Sequence, residues 1–279
     1  MTSTEGGERD SVIVSAHELF RLIRLGQAPV VITVVREQTT SASEIVSSPN
    51  HVTLSIRDFQ GEGGGTRGDR PLPDLDILTK TLADRHIAAD ADIVVYSPDG
   101  PLLAARAWFT LHWAGRSVRY LDGGMAAWTA AIEQQTNADM PIANAPTRSV
   151  EVSPADADDA ARAATTGILL DSRSPSSFHF QGHISGAVSA PALDVLDESG
   201  FLLPDAELRE HFRQFGIESS TPVVSYCGGG VAASHNALAL AAIGISSAVY
   251  IASWSGWSAD PERPVSTRIH HTSRNPEKR

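Results

Sequence analysis

The chain has 279 residues, enough for two domains of ordinary size. Hydrophobic residues make up 42% and charged residues 20%, which excludes a chain disordered throughout. With 22 Lys and Arg against 33 Asp and Glu, the net charge is −11, which argues against nucleic acid or an anionic membrane as partner.

The N-terminus, MTSTEGGERD, is polar and lacks the basic start and apolar stretch of a signal peptide. Residues 1–10 are expected to be disordered. No apolar run approaches the ~18 residues of a transmembrane helix. Residues 12–35 predict a short strand, a Ser N-cap, an amphipathic helix and a β-branched strand. Residues 61–73, GEGGGTRGDRPLP, form a long glycine-rich loop, of the kind that carries function or moves. DIVVYSP over 92–98 predicts a buried strand, followed by an Ala/Leu-rich helix and the segment SVRYLDGGMAAW.

The polar, Pro/Asn-rich stretch 133–147 reads as a linker, and the same order of elements then returns. VEVSPADADDAARAATTGILLDSR, residues 150–173, matches the opening of the first half. TPVVSYC, residues 221–227, precedes a second Ala/Leu-rich helix and the segment SAVYIASWSGW. Val95 to Val224 and Trp128 to Trp257 are both separated by 129 residues, which points to duplication. The expected fold is α/β: two tandem domains, each a parallel sheet with helices on both faces. Their expected limits are 10–132 and 148–268, with 269–279 a disordered tail. His270 and His271 fall in that tail and read as solvated.

Cys227 is the only cysteine, which excludes an internal disulfide or a Cys-based zinc cluster and fits a reducing compartment, most simply the cytoplasm. The ten His show no paired ligand spacing, so neither metal nor cofactor is expected. Cys227 sits at the carboxyl end of a predicted parallel strand, where open α/β sheets bind ligands. Gly228, Gly229 and Gly230 follow, then Val231, Ala232 and Ala233, then a helix over 234–242. Such a turn lets successive amides face one anion, with the positive helix end behind them. A thiol there is expected to react as thiolate. A plain reading remains open: a buried apolar cysteine beside a flexible turn.

CGGGVAA (227–233), DSRSPSSFHFQGHISGAVSAP (171–191), SWSGWSADPERPV (253–265) and LDGGMAAW (121–128) together resemble the tandem rhodanese-type family of thiosulfate and 3-mercaptopyruvate sulfurtransferases. The resemblance runs from about residue 12 to 265. It implies a first domain without a nucleophile, since at the 129 offset Pro98 stands in place of Cys227. It implies ping-pong transfer through a Cys227 persulfide, from a small anionic donor to cyanide, a thiol or a protein cysteine. The persulfide would lie in the loop Gly228–Ala233. Asp58, Arg70, Asp171, Arg173, His183 and Trp254 are the remaining candidates for substrate contact or for the cleft. Asp171 and Arg173 read as a structural ion pair beside the loop, and His183 as a loop-holding hydrogen-bonder. Trp254 and Trp257 read as core or pocket wall, and Ser225 as strand interior.

The neutral loop leans toward mercaptopyruvate, yet Gly229 and Ala232 stand where that type has Ser and Thr. Gly256 replaces the Glu of the family's SWSEW ending. The segment from Phe178 to His183 has no room for the family's donor-gripping Arg, and His179 is the nearest polar side chain there. His235 is expected to be exposed on its helix. The alternative function is a persulfide relay without turnover, fed by another protein. A cysteine phosphatase is disfavoured because its loop needs Arg where Ala233 stands.

Overall fold

The computed structural model describes residues 5–37, 46–134 and 150–267. The expected linker from residue 135 onward and the tail with His270 and His271 lie outside the described residues. Two five-stranded sheets form the frame. The first has β1 (Ile13–Val14), β2 (Val30–Val35), β3 (His51–Ser55), β4 (Ile93–Tyr96) and β5 (Val118–Leu121), in the order β1-β5-β4-β2-β3. The second has β6 (Val152–Ala155), β7 (Ile168–Asp171), β9 (Val188–Ser189), β10 (Val223–Tyr226) and β11 (Ser247–Tyr250), in the order β6-β11-β10-β7-β9. All pairings within these sheets are parallel, and the two orders correspond strand by strand. A small antiparallel pair joins β8 (His183–Ile184) to β12 (Val265–Ser266).

The central strands are apolar on both sides because helices cover both faces. Alternation sorts them: Val95 points into one core and Val94 and Tyr96 into another. The first of these cores is continuous across the two halves. It holds Ile93, Val95, Trp108 and Phe109 together with Leu170, Val223, Leu238 and Leu240. The helices at its centre are α4 (Pro101–Trp113) and α9 (Ala233–Ala242), which pack against each other. Each outer face has its own core. Leu19 of α2 (Ala16–Arg24) and Trp128 of α5 (Gly124–Glu133) cover the first sheet. Ala160 and Ala163 of α6 (Ala157–Thr166), with Phe178 of α7 (Pro175–Phe180), cover the second.

Two expectations are corrected. Residues 5–10, expected to be disordered, belong to a helix, α1 (Glu5–Val12), which packs on α9. Its Arg9 reaches Asp205 at 2.7 Å and the carbonyls of Leu202 and Leu203. Composition showed a polar segment but not the partners that order it. His235, expected on an exposed face, is fully buried because α9 is covered on all sides. Its Nδ1 lies 2.6 Å from the Ala192 carbonyl, and burial pushes its pKa down to about 4. Ser225 is strand interior as expected.

Sheet register also refines the internal repeat. Thr33 pairs with Tyr96, and Asp171 pairs with Tyr226. Tyr96 therefore corresponds to Tyr226, and the residue matching Cys227 is Ser97, one place before Pro98. The offset is 130 at this strand and 129 at the next, so the first half carries one extra residue between them.

Candidate active site

Strand β10 ends at Tyr226, and Cys227 opens the turn into α9. Among the described residues, the amides of 228–233 have no assigned acceptor, whereas Ser234 and His235 donate to Val231 and Ala232. A run of free, partly buried amides before a helix N-terminus is an anion nest. Gly230 makes the turn with φ +80°, where a Cβ would lie 2.4 Å from the Ile251 carbonyl oxygen.

The segment after β11 clamps this loop. The Cys227 amide donates to Ser253 Oγ at 3.1 Å, Trp254 N–H to the Cys227 carbonyl at 2.9 Å and Ser255 N–H to the Gly228 carbonyl at 2.9 Å. Ser253 takes φ +56°, a costly conformation for a residue with a side chain. It brings the Ser253 hydroxyl to 3.8 Å from Cys227 Sγ while it donates to the Tyr250 carbonyl at 2.9 Å. Cys227 is 3% exposed.

Beneath the loop lies a charged platform. Asp171 accepts from Arg173 Nη2 at 2.6 Å, from Arg173 Nε and from the Tyr226 hydroxyl at 2.5 Å. Arg173 Nη2 also donates to the Gly182 carbonyl, and its guanidinium lies 4.8 Å from the Trp254 ring centre. Burial opposes the Arg173 charge, but Asp171 holds its pKa above the ordinary value; burial and Asp171 together push the Tyr226 phenol up. This is the structural ion pair expected from the sequence. His183 stacks on Phe178 at 3.7 Å, with Nδ1 3.1 Å from the Phe178 carbonyl, in the loop-holding position expected of it. Trp257 is buried and donates to the Pro264 carbonyl.

The first domain supplies the opposite wall. The glycine-rich loop 61–73 packs onto helix α10 (Ser253–Trp257). Asp69 N–H donates to Ser255 Oγ at 3.0 Å. A Cβ on Gly68 would lie 2.4 Å from the Ala252 carbonyl oxygen, and one on Gly256 would lie 2.7 Å from that of Thr66. Arg70 sits over the active loop: a Cβ on Gly229 would lie 3.0 Å from its Nη1. The candidate Asp58 faces elsewhere. Its carboxylate accepts from the Ser55 amide at 2.8 Å and caps the 3-10 turn Ile56–Phe59.

A cleft of about 1300 Å³ opens beside the loop, lined by Arg67, Asp69, Arg70, Leu103, Leu193 and Val231 among others. Cys227 is not among the residues that line it. Two residues at the site escaped the sequence reading. Ser253 carries a hydroxyl to the sulfur. Arg106, in the apolar helix α4, reaches the loop from the first domain and donates to the Gly230 carbonyl at 2.6 Å. A lone Arg inside LLAARAWFTLHW was the available signal.

Comparison with known proteins decides the family. The model of the rhodanese-like domain matches this chain twice, over residues 41–131 and 153–260. The chain belongs to the rhodanese family. A probable 3-mercaptopyruvate sulfurtransferase of Pseudomonas aeruginosa is 37% identical over 224 residues, covering 73% of this chain and 77% of that protein. A putative thiosulfate sulfurtransferase of Mycobacterium tuberculosis, SseB, is 34% identical and covers 92% of this chain and 97% of its own. Among solved structures, EanB in complex with ergothioneine matches with TM-score 0.75 at 20% identity, over 96% of this chain and 72% of that one. YnjE matches with TM-score 0.73 at 21% identity, over 91% and 68%. At such identities these two matches speak for the fold alone. Among the described residues, no helix is long and apolar enough to cross a membrane.

Proposed function

We propose that this tandem rhodanese protein is a sulfurtransferase that carries a sulfane sulfur on Cys227, from 3-mercaptopyruvate or thiosulfate to a thiophilic acceptor. The observation that carries this reading is the sole cysteine at the mouth of a nest of acceptor-free amides. The relatives named as sulfurtransferases support it.

The Cys227 thiolate attacks the donor's outer sulfur. With mercaptopyruvate the C–S bond breaks and the enolate of pyruvate leaves, to be protonated; with thiosulfate the S–S bond breaks and sulfite leaves. Either way Cys227 holds a persulfide. The acceptor's lone pair then takes the outer sulfur, and the Cys227 thiolate returns. The amides of 228–233 hold the anion, and the Ser253 hydroxyl, 3.8 Å from the sulfur, can turn its one proton to it only by releasing the Tyr250 carbonyl. Arg70, over Gly229, is placed to meet a donor carboxylate or sulfonate entering from the cleft.

Incubation with each donor, followed by intact mass, tests the proposal. The expected result is a gain of one sulfur that cyanide removes and that Cys227→Ser lacks. A Cys227 that alkylates readily yet gains no sulfur from either donor would contradict it and favour a protein-fed relay.

A further inference from the structure

Arg106 is 1% exposed, and among the described residues it forms no ion pair. Its donors go entirely to main-chain carbonyls. Nε and Nη2 each reach the Phe59 oxygen at 3.3 Å, and Nη2 also reaches those of Arg70 at 3.1 Å and Pro71 at 3.0 Å. Nη1 crosses to the second domain and holds the Gly230 oxygen at 2.6 Å. Arg173 offers a contrast within the same molecule, since its guanidinium is neutralised by Asp171. Carbonyl dipoles satisfy hydrogen bonds, but they do not cancel a net charge taken out of water. Burial pushes the Arg106 pKa down to about 10; a negative Cys227 acts in the opposite direction, and the positive Arg70 adds to the lowering. Two anions face this loop: the Asp69 carboxylate, whose Oδ2 would lie 3.4 Å from a Cβ on Gly229, and the sulfur of Cys227 when ionised.

We infer that Arg106 is a positioning residue through which the silent first domain supplies the counter-charge of the Cys227 anion, while its grip on the Gly230 carbonyl keeps the loop turned. The two tasks use the same guanidinium. The Gly230 peptide is held in its left-handed turn by Nη1, and the amides of 228–233 around that turn have no assigned acceptor. The charge then sits across the domain interface from the nucleophile. The inference rests on Cys227 being the nucleophile. Its test uses no sulfur donor, so it succeeds or fails independently of sulfur loading.

The test is the rate of iodoacetamide labelling of Cys227 against pH, on the full chain and on Arg106→Met, Arg106→Gln and Arg106→Lys. In the two neutral variants the midpoint should lie about one pH unit or more above that of the wild type. Arg106→Lys, which keeps the charge but not the fork of hydrogen bonds, should titrate with the wild type. Neutral variants that fold and titrate like the wild type would overturn the inference. If the neutral variants do not fold, the lysine variant decides together with the wild type: a midpoint displaced by a full unit despite the retained charge sinks the idea.

Discussion

His235 shows how little a residue's type says about its state. It lies on α9 eight residues after Cys227 and is fully buried between Ala192 and the edge of Tyr120. Burial holds its pKa near 4, against 6.5 in the unfolded chain. The sign follows from proton counting. Above pH 6.5 neither state binds the proton. Between 6.5 and 4 the unfolded chain takes it and the folded one refuses, so stability falls as pH falls. His235 alone accounts for a loss of about 3 kcal/mol across that window. His51, His112 and His211 are lowered in the same direction. Denaturant unfolding at pH 7 and near pH 4.5 should show the loss, and His235→Asn should flatten it. An unchanged pH slope in that variant would remove His235 from the account.

At the scale of elements, the join between the glycine-rich loop and α10 is decided by two glycines. Gly256 has an ordinary helical backbone, but its missing side chain is where the Thr66 carbonyl lies. A Cβ there would also stand 2.6 Å from that of Ala252. The sequence reading took Gly256 as a loss relative to the family's Glu. In this fold it is the space into which the loop of the other domain docks. Gly256→Ala should therefore destabilise by about 1–3 kcal/mol in thermal unfolding. Gly256→Glu should do more harm, despite matching the family pattern, and should expose Arg67 to trypsin. A Gly256→Glu protein as stable and protease-resistant as the parent would refute this reading. The same approach places Arg70 over Gly229, so the departures at Gly229 and Gly256 lie under one loop.

For the whole molecule, the question is what holds the two halves together. The core shared by α4 and α9 is the larger part, and it is closed at one end by Arg9. Arg9 bonds Asp205 and the Leu202 and Leu203 carbonyls of the second half, and lies 3.4 Å from Asp122 of the first. Asp122 in turn accepts from the Leu202 amide at 2.9 Å. Burial raises the Asp122 pKa, against the pull of Leu202 and Arg9. Arg9→Met leaves Asp122 and Asp205 without their cation and should cost about 1–3 kcal/mol. Its calorimetric transition should broaden as the halves uncouple; a sharp transition at the wild-type temperature would show that Arg9 adds nothing.

The sequence by itself determined the fold class, the duplication and the position of the proposed nucleophile. These are local matters: short continuous apolar strands, Ala/Leu-rich helices between them, and a turn of glycines behind the only cysteine. The Asp171–Arg173 pair was legible too, because two residues on one strand end cannot avoid each other. What only the tertiary structure decided is everything that crosses from one half to the other. Arg106 is 121 residues before Cys227, Arg9 is 196 before Asp205, and Thr66 is 190 before Gly256. No periodicity or spacing encodes such approaches. They follow from how α4 and α9 pack, and that packing fixes which carbonyls surround a buried charge and which Cβ has room.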